Sequence, residues 1–124
     1  MQKAIVSTDG HYIDANNRHQ NGILVKSNNV VYDAMLNQTD IGRNANKFYQ
    51  MQLVQIGTKF SVYIRYGRIG EPGVINYKDF NTESDATNFF EKQFRTKTGN
   101  SWLDKGSFDK KPGKYFLTEI KAWI

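Results

Sequence analysis

The chain has no cysteine, and only two prolines and two histidines among its 124 residues. Without thiols there is no disulfide framework, no thiolate zinc site and no cysteine nucleophile. His11 and His19 both lie in a polar N-terminal stretch. They are too few for a metal cage, and with no shaped pocket predicted around them they are expected to be exposed surface histidines rather than an acid/base pair. No apolar run approaches the ~20 residues that a membrane helix needs. Residues 1–10 have no apolar h-region, so no secretory signal is expected and the default location is the cytosol or nucleus. Closely paired carboxylates are missing too; Asp79 and Glu83 are expected to decorate a surface.

What is present is one domain's worth of chain, with 17 Lys and Arg against 12 Asp and Glu, a net charge of +5. That balance favours a polyanionic partner without requiring one. Aromatic residues are abundant, with two Trp, seven Tyr and eight Phe.

Residues 1–22 are polar and are expected to be irregular, apart from a short strand at Lys3–Ser7; the domain proper is expected to span residues 23–124. Ile23-Leu24-Val25 and Val30-Val31-Tyr32 read as short strands joined at Asn28-Asn29, because Asn tolerates positive φ. Asn37–Asn46 reads as a loop rich in side-chain-to-backbone hydrogen bonds. In Tyr49–Leu53 and Phe60–Tyr66 apolar and polar residues alternate with period two, the mark of half-buried strands. Gly57-Thr58 joins them as a tight turn, and Glu71-Pro72-Gly73 turns the chain into a third strand at Val74–Tyr77. Thr82, with Asp85 three residues on, predicts a helix N-terminus. Ala86, Phe89, Phe90 and Phe94 form one apolar stripe, with Glu91, Lys92 and Arg95 on the other side and an end near Lys97 and Gly99. Trp102 is expected to cap the core beside the helix, and Tyr115–Ile120 to close the sheet. The fold class is α+β: a small antiparallel sheet, a meander plus a closing strand, with one helix on one face.

Two clusters suit a phosphorylated ligand. Tyr66 and Arg68 alternate onto one side of their strand, with Arg65 opposite and Gly67 permitting close backbone approach. A ring beside a guanidinium can stack on a sugar or base and pair a phosphate. The same residues equally fit a core tyrosine and a snorkelling surface cation. Lys110, Lys111, Lys114 and Tyr115 lie on a Pro-Gly turn that is either a phosphate cradle or a solvated basic loop. Gly113-Lys114 lacks the upstream glycine and following Ser or Thr of a phosphate-binding P-loop. Lys92, Arg95 and Lys97 sit where cations favour the helix dipole.

Four motifs in order, Asn46-Lys47-Phe48-Tyr49, Tyr66-Gly67-Arg68-Ile69-Gly70, Lys97-Thr98-Gly99-Asn100-Ser101-Trp102 and Pro112-Gly113-Lys114-Tyr115, resemble the WGR domain of the DNA-strand-break-dependent poly(ADP-ribose) polymerases. Val31–Thr39 resembles the start of that domain in members without zinc fingers, and the resemblance covers residues 23–121. It implies a small antiparallel sheet with one helix. It also implies a module that grips a 5′-phosphorylated DNA end or nick and relays the contact to a helical regulatory domain, switching on an ADP-ribosyltransferase. By motif position, Asn46 would meet the end phosphate or its nucleotide and Tyr66 would stack on a terminal sugar or base. Arg68 would bridge DNA and the regulatory domain, Tyr115 would lie at the phosphate and Lys97 on the DNA backbone. Lys47 and Lys114, within the same motifs, are assigned to DNA contact as well. Tyr66 departs from the family's Trp, keeping a stacking face of smaller area and adding a hydroxyl.

The resemblance implies DNA repair, a nuclear location and a monomeric module, with no cofactor, no metal and no membrane. A transferase domain does not fit beside this module in 124 residues, so the chain is expected to be non-catalytic: part of a larger enzyme or a free-standing member. The competing function is a protein-interaction module, with Arg68 pairing an acidic helix and Tyr66 as a buried anchor. RNA binding is a third reading, since exposed aromatics and Arg also suit single strands.

Overall fold

The computed structural model describes residues 10–40, 42 and 45–118. Among the described residues, regular structure begins with three two-residue strands, β1 (Ile23–Leu24), β2 (Lys26–Ser27) and β3 (Val30–Val31). Between β2 and β3, Asn28 (φ 53°) and Asn29 (φ 64°) occupy left-handed backbone, as a two-residue hairpin turn of the primed type demands. Four longer strands follow: β4 (Asp33–Asp40), β5 (Ala45–Ile56), β6 (Lys59–Arg68) and β7 (Val74–Phe80). Helix α1 (Glu83–Thr98), a 3-10 segment (Trp102–Ser107) and β8 (Phe116–Leu117) complete the described chain. The expected strand at Lys3–Ser7 lies outside the described residues, as do the last positions of the expected strand Tyr115–Ile120.

All pairing is antiparallel, in the order β7-β6-β5-β4-β8. At the far end of β5, β1 pairs Leu24 with Val54 and so takes over where β4 stops. Asn37–Asp40 and Ala45-Asn46 are strand, not loop: Asn37 pairs with Phe48, Gln38 with Lys47 and Thr39 with Asn46. Polar side chains read as a loop locally, but the segment's backbone is held in register by a long neighbouring strand, and tertiary pairing overrides propensity.

The helix forms where its caps predict. Thr82 Oγ1 accepts from the Asp85 N–H at 3.2 Å, and Gly99, at φ 73°, closes the last turn by donating to the Arg95 carbonyl. Ala86, Phe90 and Phe94 are fully buried against the inner face of the sheet, on Met51, Leu53, Val62 and Ile64. Trp102 meets Phe90 and Phe94 edge-on, with ring centres 4.9 and 5.0 Å away, and so caps the core as expected. Phe89 is only half-buried, against Phe80. Glu91 is not a free solvent-side residue: its Oε2 accepts from the Tyr32 hydroxyl at 2.7 Å.

The outer face is where periodicity misleads. Gln50 and Gln52 alternate as solvent-facing residues, yet both are buried. Residues 10–22 lie across this face as a strap. The Gln52 side-chain amide treats the strap as another strand would: its oxygen accepts from the Asp14 N–H (3.0 Å) and its nitrogen donates to the Tyr12 carbonyl (2.9 Å). Tyr63 donates to Asp14 Oδ2 at 2.8 Å. The two histidines are accordingly not exposed surface groups. His11 Nδ1 donates to Asp33 Oδ2 at 2.8 Å, and His19 is half-buried edge-on to Tyr77. Burial holds His19 below its ordinary value, helped by neighbouring Arg18 and opposed by Asp79.

Burial, reinforced by the hydrogen bond to Glu91, pushes the Tyr32 phenol well above its ordinary 10.0; burial and Asp14 do the same to Tyr63. The unfolded chain releases these protons near pH 10 and the folded chain keeps them. Their contribution is therefore complete below about pH 10 and lost as pH rises beyond it. Urea unfolding between pH 9 and 11 should show stability falling above about pH 10, with a shallower fall in a Tyr32→Phe/Tyr63→Phe double variant.

Candidate nucleic-acid interface

The inner face of the sheet outruns the helix. Along β6 the inward positions read Phe60, Val62, Ile64, then Tyr66 and Arg68; along β5 they read Leu53, Met51, then Tyr49 and Lys47. Beneath α1 these positions are aliphatic or phenylalanine. Past its C-terminus they become tyrosine and then a cation. Register places Tyr49 opposite Tyr66 and Lys47 opposite Arg68. Lys97, in the last turn of α1, and Tyr115, in the segment before β8, close the third side. Their backbones are joined by a hydrogen bond from the Tyr115 N–H to the Lys97 carbonyl, at 2.9 Å.

The result is an open cavity of about 590 Å³ lined by Lys47, Tyr49, Tyr66, Gly67, Arg68, Lys97 and Tyr115. Strands β5 and β6 each contribute one cation and one tyrosine, and α1 and the segment before β8 supply the third cation and the third tyrosine. None of the three cations makes an ion pair among the described residues. Lys47 and Arg68 are like charges directly opposed across a strand pair, an arrangement that costs stability unless an anion lies between them.

Tyr49, which sequence reasoning passed over as a core strand residue, is the hub. It is 4% exposed. Tyr66 stacks on it with ring centres 5.8 Å apart and planes 26° from parallel, Tyr115 leans against it at 5.7 Å, and the Lys97 ammonium sits 5.0 Å from its ring centre. Its hydroxyl accepts from Gln93 Nε2 at 3.1 Å. Its sequence signals were its place in the alternation of β5 and at the end of the Asn46-Lys47-Phe48-Tyr49 motif, and neither gave it a role at the site. Burial raises the phenols of Tyr49 and Tyr115 above their ordinary value, so both stay neutral beside an anion at neutral pH.

Five of the seven residues singled out from sequence, Lys47, Tyr66, Arg68, Lys97 and Tyr115, meet in this cavity. Tyr66 settles between the two readings open for it: it packs on Tyr49 and still leaves 37% of its surface exposed. Asn46 lies at the rim, exposed, with its carbonyl accepting from the Ile69 N–H at 3.0 Å. Lys114 points elsewhere, donating from Nζ to the Thr96 carbonyl at 3.3 Å, on the last turn of α1. Lys111 lies against Gly99, and Lys110 over the Phe116 ring. Arg65 faces the opposite side of the sheet, over the Phe48 ring and donating to the Pro72 carbonyl. Among the described residues no group of three His, Asp or Glu side chains is placed to hold a metal ion. No helix there is long and apolar enough to cross a membrane.

The WGR domain family model matches residues 32–109, which include β4 to β7, α1 and all of the cavity except Tyr115. The chain belongs to the WGR domain family. It is 45% identical over 92 residues to human protein mono-ADP-ribosyltransferase PARP3, covering 73% of this chain and 17% of that protein. Identity is 43% over 91 residues to the mouse PARP3, covering 73% of this chain and 17% of that protein. Human poly [ADP-ribose] polymerase 2 is 40% identical over 95 residues, 74% of this chain and 16% of that protein. The chain thus spans about one-sixth of the length of these relatives. In this WGR domain the motif reads Tyr66-Gly67-Arg68.

The central glycine has a steric reason. A Cβ on Gly67 would lie 2.9 Å from the Gly73 Cα, and one on Gly73, at φ 80°, would lie 2.5 Å from the Tyr66 carbonyl oxygen. The hairpin backbone closes on itself at this point and carries Tyr66 and Arg68 at its base. Gly67→Ala should therefore cost about 1–3 kcal/mol in urea unfolding and shift the amide resonances of Tyr66, Arg68 and Gly73.

Proposed function

We propose that this WGR domain binds DNA breaks, engaging a 5′-phosphorylated end or nick through phosphate and terminal-nucleotide contacts. The observation that carries this reading is the convergence of three cation–tyrosine pairs, from β5, β6 and the α1–β8 segment, on one cavity. Lys47, Arg68 and Lys97 suit phosphate oxygens, with the Arg guanidinium able to bind two at once. Tyr66 and Tyr115 offer ring surface to a sugar or base. Asn46 at the rim and Lys114 beyond it extend contact along the strand. These groups read backbone and end rather than base edges, so sequence preference is weak.

In a parent enzyme the domain would relay DNA binding to a helical regulatory domain and so to an ADP-ribosyltransferase in the nucleus. The relatives' names supply the enzyme class, and the domain itself would be non-catalytic. A second reading, contact with a protein partner through Tyr66 and Arg68, is favoured by one observation. Ile69 and Val74, more than half exposed, flank these residues on the β6–β7 hairpin. The two readings are compatible if DNA and a regulatory domain share this end of the sheet.

Fluorescence anisotropy with one nicked duplex, carrying 5′-phosphate or 5′-hydroxyl, tests the proposal. The phosphate should tighten binding about 10- to 100-fold, corresponding to ~1.5–3 kcal/mol for a charge-assisted contact. With about three phosphates engaged, the log–log salt slope should be near −3. Arg68→Ala and Tyr115→Ala should each weaken end binding. Equal, weak binding of both duplexes would leave only non-specific attraction and make the protein-contact reading the leading one.

A further inference from the structure

We infer that the Lys47–Tyr66–Lys97 cavity is a complete binding site for one nucleoside 5′-phosphate, so that it takes free mononucleotides, ADP and ADP-ribose as well as the end of a DNA strand. This rests on the reading of the cavity as a phosphate and terminal-nucleotide site, and goes beyond it by dispensing with the duplex.

The site is compact. The cations do not form a track along the surface. They ring one concavity of about 590 Å³, within the range of small-molecule clefts. Lys47 and Arg68 face each other across one strand pair and make no ion pair among the described residues, so two unneutralised positive charges adjoin at the cavity. One phosphate placed there relieves the repulsion between them. Directly inward from this pair, at the next inward-facing register position, stand Tyr66 and Tyr49. A phosphate at the cation pair therefore carries its own sugar and base over the exposed part of Tyr66, with no second nucleotide needed to reach the ring. Tyr66 is held for this by stacking on Tyr49, which is itself fixed by Gln93 and by the Lys97 ammonium over its ring. The ring is thus preorganised before a ligand arrives, and little ordering cost falls on a small one. Lys97 stands on the far side, positioned for a second phosphate. The sugar would lie over the Tyr66 ring, whose face takes ribose and deoxyribose alike.

One consequence is regulatory. In an enzyme that transfers ADP-ribose, the product bears the chemistry this cavity takes, a nucleoside 5′-diphosphate. Accumulated product would then compete with the DNA end at the domain that senses it.

The test is titration of the 15N-labelled chain with AMP, adenosine, 3′-AMP, inorganic phosphate and ADP-ribose. AMP should shift the amides of Gly67, Arg68, Lys97 and Tyr115 with saturation. Adenosine, 3′-AMP and inorganic phosphate should bind at least tenfold more weakly, and Lys47→Ala should weaken AMP at least threefold. ADP-ribose should shift the same amides and displace a labelled 5′-phosphorylated nicked duplex. Inorganic phosphate binding as well as AMP would reduce the site to an anion site and overturn the inference. Failure of ADP-ribose alone would overturn its extension to the product. A nick bound in a phosphate-dependent way while AMP leaves the cavity unshifted would overturn the inference and leave break binding standing. Failure of both ligands would overturn break binding too.

Discussion

Ten consecutive residue pairs join β5 to β6, from Lys47 opposite Arg68 to Ile56 opposite Lys59. Among the described residues no other contact is so extensive, and each remaining part is placed by reference to it. Its inner side takes the helix. Its outer side takes the 10–22 strap, held by the amide of Gln52 and the hydroxyl of Tyr63. Its end, where no helix covers it, becomes the cavity. Side-chain alternation along two paired strands is rigid, because a one-residue slip would send every inward group outward. The tyrosines and cations therefore cannot drift relative to the hydrophobic core: Arg68 is fixed by the same register that buries Val62.

This shared register explains why the aliphatic and polar parts of β6 merge without a break. Phe60, Val62 and Ile64 belong under α1, whereas Tyr66 and Arg68 face the same way with nothing above them. The boundary is set by the length of the helix, which ends at Gly99 in left-handed backbone. The site is thus a by-product of a helix shorter than the sheet it packs on, furnished with side chains that tolerate both core and solvent.

Much of this was legible in the sequence. The β5–β6–β7 meander followed from period-two alternation and from two turns, and α1 from its caps and its phenylalanine stripe. Five of the seven site residues chosen by motif fall in one cavity. Three things were hidden, each for a physical reason. Asn37–Asp40 carries little strand propensity beyond Thr39 and is held as a strand by its partner's backbone. Gln50 and Gln52 look solvent-facing because the residues that cover them lie more than 30 positions earlier in the chain. Tyr49 was invisible as a site residue because its job is to be buried: a ring that positions another ring leaves the same pattern as any core aromatic. Local periodicity reports which side a residue faces, not what comes to lie on that side.

The direction of α1 has a further consequence. The helix runs toward the cavity, so the negative end of its dipole, with the orphan carbonyls of its last turn, is turned on a site whose ligand is itself negative. Left bare, that end would repel what the three cations attract. The Lys114 ammonium on the Thr96 carbonyl and the Gly99 N–H on the Arg95 carbonyl answer part of it. The Pro-Gly turn that carries Lys114 thus acts as an electrostatic shield at the helix end. A residue outside the cavity can in this way shape the field through which the ligand arrives.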